Sequence, residues 1–394
     1  MRISSRIARL GGTAFLTDLC LYLVWVAIPY KAIALGASAA QLGIVATFSS
    51  TAYVLTSVIS GSLSDRVSRL LLARIGAVIF AAGCILILRA DSYAAMLPRM
   101  PLLGLGMGFF WSPIQAAMAD EATAGGLEGN IGIFNVAWST GKALGFVLGG
   151  VLHARFGESP LMLAGAATTL FVAIVLPRSR PAGPRGEGEP ATHCSDMDPR
   201  RVQAFLYMAW IANAIAFGVG NTLNIQYPKF LLQYGGGSGS FGIFMGTVFI
   251  AQTVAFAFLR GYRGWRCRRL LSYAVQLAIA AGAVLLPFLH VLPLTLLVAI
   301  PIGAGLGLAY HASITYSLTA HATRGQRAGI HESLLGIGNF SFPLIGGLLA
   351  SGTGDLRMPY WFCAVMVLIG LTVQEAIWRR AQSDSPTAPH ASRV

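Results

Sequence analysis

Apolar residues dominate this chain in runs too long to be one face of a soluble helix. Twelve stretches are apolar nearly all round, at roughly 10–35, 41–63, 71–89, 94–118, 129–154, 159–176, 204–231, 241–259, 270–290, 293–318, 328–350 and 358–378. Each is long enough to cross about 30 Å of hydrocarbon as an α-helix. The pattern predicts an all-α membrane protein with twelve spans. The start, "MRISSRIARL", imitates the charged region of a signal peptide, and Ala32-Ile33-Ala34 imitates a cleavage site. The apolar run between them is too long for a signal core and holds Asp18, so it is read as the first span.

One internal stretch breaks the pattern. "PRSRPAGPRGEGEPATHCSDMDPRRVQ", residues 177–203, is rich in Pro, Gly and charge and reads as a flexible cytoplasmic linker. It divides the chain into a first six-span bundle, 1–176, and a second, 204–380, followed by a disordered tail, 381–394. The halves read as copies. "GIFNVAWSTGKALGFVLGGVL" (132–152) aligns without gaps on "GIHESLLGIGNFSFPLIGGLL" (329–349). "GLGMGFFWSP" (104–113) aligns on "GAGLGLAYHA" (303–312), and "GSLSDRVSR" (61–69) on "GYRGWRCRR" (261–269). The three offsets are 197, 199 and 200, in one order along the chain. Duplicated halves are the architecture of many secondary transporters, with the site at the midplane between them.

Charge changes the picture next. Only 11% of residues are charged, yet the net charge is +13. With spans alternating in direction, 21 of the 28 Lys and Arg residues fall on one side of the membrane. That asymmetry is a topology signal, and it excludes a nucleic-acid surface as the reason for the charge. By the positive-inside rule both termini are cytoplasmic and the protein resides in the cell membrane, with basic loops facing anionic headgroups. The five cysteines show no metal-ligand spacing and read as packing thiols. His193 and Cys194 make too small a set for a metal site, and no cofactor is expected.

Twelve spans in two halves, with "GSLSDRVSR" between spans 2 and 3, resemble the major facilitator superfamily. That superfamily carries a G-x-x-x-D-R-x-x-R/K loop at this place, matched here by Gly61, Asp65, Arg66 and Arg69. The resemblance implies a secondary transporter working by alternating access. It also implies that Asp65, near a helix N-terminus, and its neighbour Arg66 form a cytoplasmic latch that releases in the inward-open state. The second-half copy has Trp265 in the Asp position, so only the first half should carry the charge pair. Span 5 also resembles the glycine-rich signature of the superfamily's antiporters through Gly141, Gly145, Gly149 and Gly150, with Phe146 in place of its proline.

Few polar groups lie at midplane depth. Span 5 places Asn135, Trp138 and Lys142 on one helical face, and span 11 places Glu332 and Asn339 seven residues apart. The repeat pairs Asn135 with Glu332 and Lys142 with Asn339. Span 1 offers Asp18, Tyr22 and Trp25, span 4 Trp111 and Gln115, span 7 Asn213, Asn221 and Asn224, span 8 Gln252, and span 10 Tyr310 and His311. A lysine so deep costs roughly 2.5–3.5 kcal/mol on insertion scales and needs a reason. The expected substrate site comprises Lys142, Asn135, Trp138, Asn339, Trp111, Gln115, Tyr310, Asn221, Asn224 and Trp25. Glu332 and Asp18 are the expected proton-coupling groups, since a buried carboxylate can load and lose a proton near neutrality. Competing readings stay open: Lys142 paired structurally with Asp18 or a backbone carbonyl, and Glu332 as a gate residue.

The reading is a monomeric transporter of a small organic solute, proton-coupled, whose site favours anionic or zwitterionic groups. Rivals are a proton-driven exporter of lipophilic cations, and a transporter-like receptor or assembly protein without flux. An enzyme is disfavoured, because no Ser/His/Asp or metal constellation converges.

Overall fold

The computed structural model describes residues 4–121, 127–177, 198–318 and 324–383. Twelve long helices carry the chain: α1 Ser5–Ala34, α2 Ala39–Ser64, α3 Arg69–Leu88, α4 Met100–Asp120, α5 Leu127–Phe156, α6 Glu158–Val175, α7 Pro199–Gln233, α8 Ser238–Gly261, α9 Arg269–Leu285, α10 Leu292–Leu318, α11 Arg324–Thr353 and α12 Met358–Ser383. A helical turn at Tyr93–Met96 and a 3-10 turn at Leu97–Arg99 lead into α4. All twelve are long and apolar enough to span a bilayer, and no strand occurs among the described residues.

Local chemistry sets the helix starts. Ser4, Ser38 and Ser68 accept from the backbone N–H three residues on, and Ser38 with Gln41 completes a reciprocal capping box. Asp198 caps α7 by accepting from the Arg200 N–H at 2.9 Å, with Pro199 at the first helical position. The cap starts the helix inside the stretch expected to be linker, so Pro199–Gln203 is helical. Four turns contain a glycine at positive φ: Gly36, Gly157, Gly235 and Gly354. They join α1 to α2, α5 to α6, α7 to α8 and α11 to α12. Gly235 follows Gly36 by 199 residues and Gly354 follows Gly157 by 197, so the repeat recurs in the backbone.

Packing repeats it a third time. In the first half α1 packs on α5 and α6, α2 on α4, and α3 on α4 and α6. In the second half α7 packs on α11 and α12, α8 on α10, and α9 on α10 and α12. The halves meet along α2 with α11 and α5 with α8, two contacts exchanged by the pseudo-twofold. Gly141 and Gly338 make the close approaches within each half possible. A Cβ on Gly141 would strike the Phe15 carbonyl of α1, and one on Gly338 the Ala214 carbonyl of α7.

Cys20, Cys84 and Cys363 are buried free thiols. Cys267 is disulfide-bonded, which corrects its reading as a packing thiol. It lies in the turn between α8 and α9 rather than in a span. His193, Cys194, His321 and the tail beyond Ser383 lie outside the described residues.

Gly141→Val and Gly338→Val should each destabilise the protein, since overpacking costs about 1–3 kcal/mol. Gly12→Ala, with open space around its Cβ position, should not. Thermal unfolding in detergent checks this. Equal melting of all three variants would contradict the close-packing account.

Candidate functional site

One cavity of about 120 Å³ lies between the halves, and only α1, α2, α4, α5, α7, α8, α10 and α11 line it. Helices α3, α6, α9 and α12 stand outside as supports. The lining includes Asp18, Trp25, Trp111, Gln115, Trp138, Lys142, Asn221, Asn224, Tyr310, Glu332 and Asn339. The structure therefore gathers almost every expected site residue around one space. Asn135 is the exception. It is fully buried behind the wall, where its Oδ1 accepts from Trp138 Nε1 at 3.2 Å and its Nδ2 lies 3.3 Å from His311 Nδ1. It orients a lining residue and does not line the cavity itself. Asn213 and Gln252 are also buried outside the lining.

The three charged groups differ in their surroundings. Glu332 accepts from Tyr53 Oη, from Gln115 Nε2 and, at 3.3 Å, from Tyr310 Oη. Tyr53 and Gln115 belong to the first half and Glu332 to the second, so the carboxyl group ties the halves together. His331 Nε2 lies 3.6 Å from the same carboxyl, and His331 Nδ1 lies 2.8 Å from Ser313 Oγ. Lys142 has no hydrogen bond or ion pair among the described residues. Its Nζ sits 3.9 Å from the Phe249 ring centroid, 4.2 Å from Tyr22, 5.4 Å from Phe217 and 5.8 Å from Trp138. Cation–π contacts are worth about 2 kcal/mol or more when desolvated, enough to hold an ammonium but not to neutralise it. Asp18 is buried, lines the cavity and has no hydrogen-bond or ion-pair partner among the described residues. It does not form the structural pair with Lys142.

Tyr53 and the phenylalanines Phe146, Phe217 and Phe249 line the cavity without having been singled out for it from sequence. The signal for Tyr53 is "SSTAY" in span 2, where Ser49, Ser50 and Tyr53 share a helical face. Phenylalanine in an apolar helix carries no distinguishing signal.

Contacts between the halves bracket the cavity at both ends. At the end away from the arginine-rich loops, Gln226 Nε2 donates to the Ala39 carbonyl at 3.0 Å, Lys229 Nζ to the Ala37 carbonyl at 2.6 Å, and the Ala40 N–H to Ser351 Oγ at 2.9 Å. At the arginine-rich end, Ser333 Oγ donates to the Val54 carbonyl at 3.2 Å, and Gly329 packs against the Ser57 carbonyl. Asp65 accepts from the Gln326 N–H in the first turn of α11 at 3.1 Å, where the helix dipole favours a carboxylate. All these contacts cross between the halves, and the cavity they bracket is partly enclosed.

The loop "GSLSDRVSR" departs from expectation in one partner. Asp65 pairs with Arg69 at 3.2 Å, and Arg69 also reaches Asp120 at 2.7 Å, while Arg66 points outward with no ion pair among the described residues. The chain turns out of α2 at Asp65, and Arg69 opens α3, so the i,i+4 spacing brings Arg69 back onto the carboxylate. Gly61 is buried on α2 beside Gly329. Trp265, the copy of Asp65, is buried against the His311 ring.

Comparison with known proteins agrees with this geometry. A model described as the Major Facilitator Superfamily matches residues 10–323. The chain is 25% identical over 334 residues to Multidrug resistance protein 1 of Bacillus subtilis (strain 168), covering 83% of this chain and 84% of that one. It is 21% identical over 347 residues to Quinolone resistance protein NorA of Staphylococcus aureus (strain MRSA252), covering 85% and 87%. A crystal structure of a bacterial homolog of the human lysosomal transporter Spinster, inward-facing and unoccupied, superposes with TM-score 0.73 at 14% identity, covering 97% and 98%. That of a mutant of the nucleoside transporter NupG does so with TM-score 0.68 at 15%, covering 95% and 100%.

Tyr53→Phe should loosen the arginine-rich gate. Losing one bond of this kind shifts an equilibrium by roughly three- to tenfold. A cysteine placed at the buried position 57 should then react with a membrane-permeant maleimide faster by that factor. Arg69→Ala should raise the same rate, and Arg66→Ala should leave it unchanged. The reverse order for the two arginines would restore Arg66 as the latch.

Proposed function

The chain belongs to the Major Facilitator Superfamily and is a multi-pass membrane transporter rather than an enzyme; within that class we propose a proton-coupled secondary transporter of a small organic solute bearing an anionic or zwitterionic group. The carrying observation is the cavity between the halves in which Lys142 has no hydrogen bond or ion pair among the described residues. An ammonium in a low-dielectric site attracts an anion strongly, and the wall carboxyl groups of Asp18 and Glu332 act on it only through space, with no hydrogen bond or ion pair to it among the described residues. A substrate carboxylate or similar group is the partner it lacks.

Alternating access follows from the two sets of gate bonds. The halves, residues 1–176 and 204–380 with a connecting linker, rock about the cavity, breaking one set while keeping the other. Both termini and the arginine-rich end face the cytoplasm in this reading, in the cell membrane. Glu332 couples the motion to protons. As a carboxylate it accepts from three donors, two of them in the other half. Protonation turns one oxygen into a donor facing donors, which weakens the tie and frees the arginine-rich gate. Asp18 is the alternative proton carrier.

A second reading has one observation in its favour. Asp18 also lines the cavity unpaired, as an exporter of lipophilic cations requires. The names of the multidrug and quinolone resistance relatives suit export. In that reading Lys142 should be dispensable.

Purified protein in proteoliposomes tests both readings. A solute first identified by thermal stabilisation should accumulate with an imposed pH gradient and equilibrate without one. Equal rates would remove the coupling. Glu332→Gln should abolish gradient-driven accumulation while counterflow exchange persists. Lys142→Ala with unchanged affinity would remove the anion site and favour the cation exporter.

A further inference from the structure

We propose that the ligand of this cavity is a compact aromatic zwitterion, its anionic group on Lys142 and its cationic group on Asp18. The inference rests on the reading of Lys142 as an anion site and adds the second charge and the ring. Two groups of opposite charge line one cavity, both are buried, and neither has a hydrogen-bond or ion-pair partner among the described residues. Their charges interact through space, but no hydrogen bond or ion pair joins them, so a ligand can insert between them. A neutral or singly charged ligand leaves at least one of them bare in a low-dielectric site, which is the costly arrangement. A ligand carrying both signs satisfies both at once.

Glu332 competes less for the cationic group than Asp18 does, since three donors already hold it. Asn224 adds a polar contact. Its Oδ1 is buried without a hydrogen-bond partner beside the cavity, an acceptor for an ammonium N–H. The body of the ligand is set by the rest of the wall. Tyr22, Trp25, Trp111, Trp138, Phe217 and Phe249 present aromatic surface, which packs best on another ring, edge-on or offset. Size then limits the choice. At about 120 Å³ the cavity is smaller than the roughly 150 Å³ that admits benzene, so nothing larger than a single ring suits it, and its charged arms need the cavity to widen on binding.

The test uses matched single-ring probes on the full-length protein in detergent, with binding read by calorimetry. Two zwitterions, phenylalanine and 4-(aminomethyl)benzoic acid, place the charges at short and long spacing. Phenethylamine and benzylamine supply the cation alone, and 3-phenylpropionate and 4-methylbenzoate the anion alone. At least one zwitterion should bind roughly ten- to a hundredfold more tightly than both of its single-charge relatives. Asp18→Asn should bring that zwitterion down to the affinity of its anionic relative. Lys142→Gln should bring it down to that of its cationic relative. Asp18→Glu and Lys142→Arg should restore part of the difference, which a merely structural role would not do. Anionic probes binding as well as zwitterions, with Asp18→Asn silent, would overturn this inference and leave the Lys142 anion site standing. Cationic probes binding best, with Lys142→Gln silent, would overturn both. Failure of every probe to bind wild-type protein would overturn the single-ring zwitterion.

Discussion

A carboxyl group buried between two helical bundles has to be satisfied by hydrogen bonds, and whichever bundle supplies the donors becomes tied to it. Glu332 takes two of its three donors from the opposite half. That one arrangement joins α2, α4 and α11 beside the cavity. The outer ties repeat the principle with weaker partners: Asp65 on the Gln326 N–H, and Gln226 and Lys229 on backbone carbonyls of the first half. A side chain bonded to the other half's backbone can let go without leaving its own helix deformed. The gates can therefore open while each bundle stays intact.

The asymmetry of the repeat explains why the middle of the molecule is chemically uneven while its frame is not. Glycine contacts, turn positions and helix pairs recur at nearly constant offset. At the cavity the copies diverge: Lys142 in one corresponds to Asn339 in the other, and Asn135 to Glu332. The backbone carbonyl of Asn339 accepts from Asn221 Nδ2 at 2.6 Å, joining α7 to α11 at the wall. Asn135 has withdrawn behind Trp138. The frame is constrained by close helix packing, which tolerates little change. The cavity wall borders open space and so leaves the two copies freer to differ.

The twelve spans, the duplicated halves and most of the polar lining were legible in the sequence. Long apolar runs report hydrocarbon thickness directly, and a polar residue inside one is costly enough to stand out, as Lys142, Asp18 and Glu332 did. What was not legible has physical reasons. Tyr53 escaped because a hydroxyl in a span can bond its own backbone and so signals nothing by itself. Phe217 and Phe249 look like any lipid-facing residue until a cation is placed over them. The exchange of Arg66 for Arg69 depends on where α2 ends, and a boundary is the least certain part of any periodic reading. Cys267 stands outside the spans, where helical spacing does not constrain a thiol's partner.

The four glycine turns carry a mechanical consequence. With only a short connection and a backbone held at positive φ, α5 cannot shift at that end without α6, nor α11 without α12. Helices α6 and α12 present much of their surface outward, with Leu163, Phe171, Ile174, Val365 and Leu368 exposed. Any displacement of Glu332 is thus delivered through a stiff hairpin to a helix that pushes on acyl chains. The elasticity and thickness of the surrounding bilayer therefore enter the energetics of opening, and the same protein should cycle at different rates in lipids of different chain length.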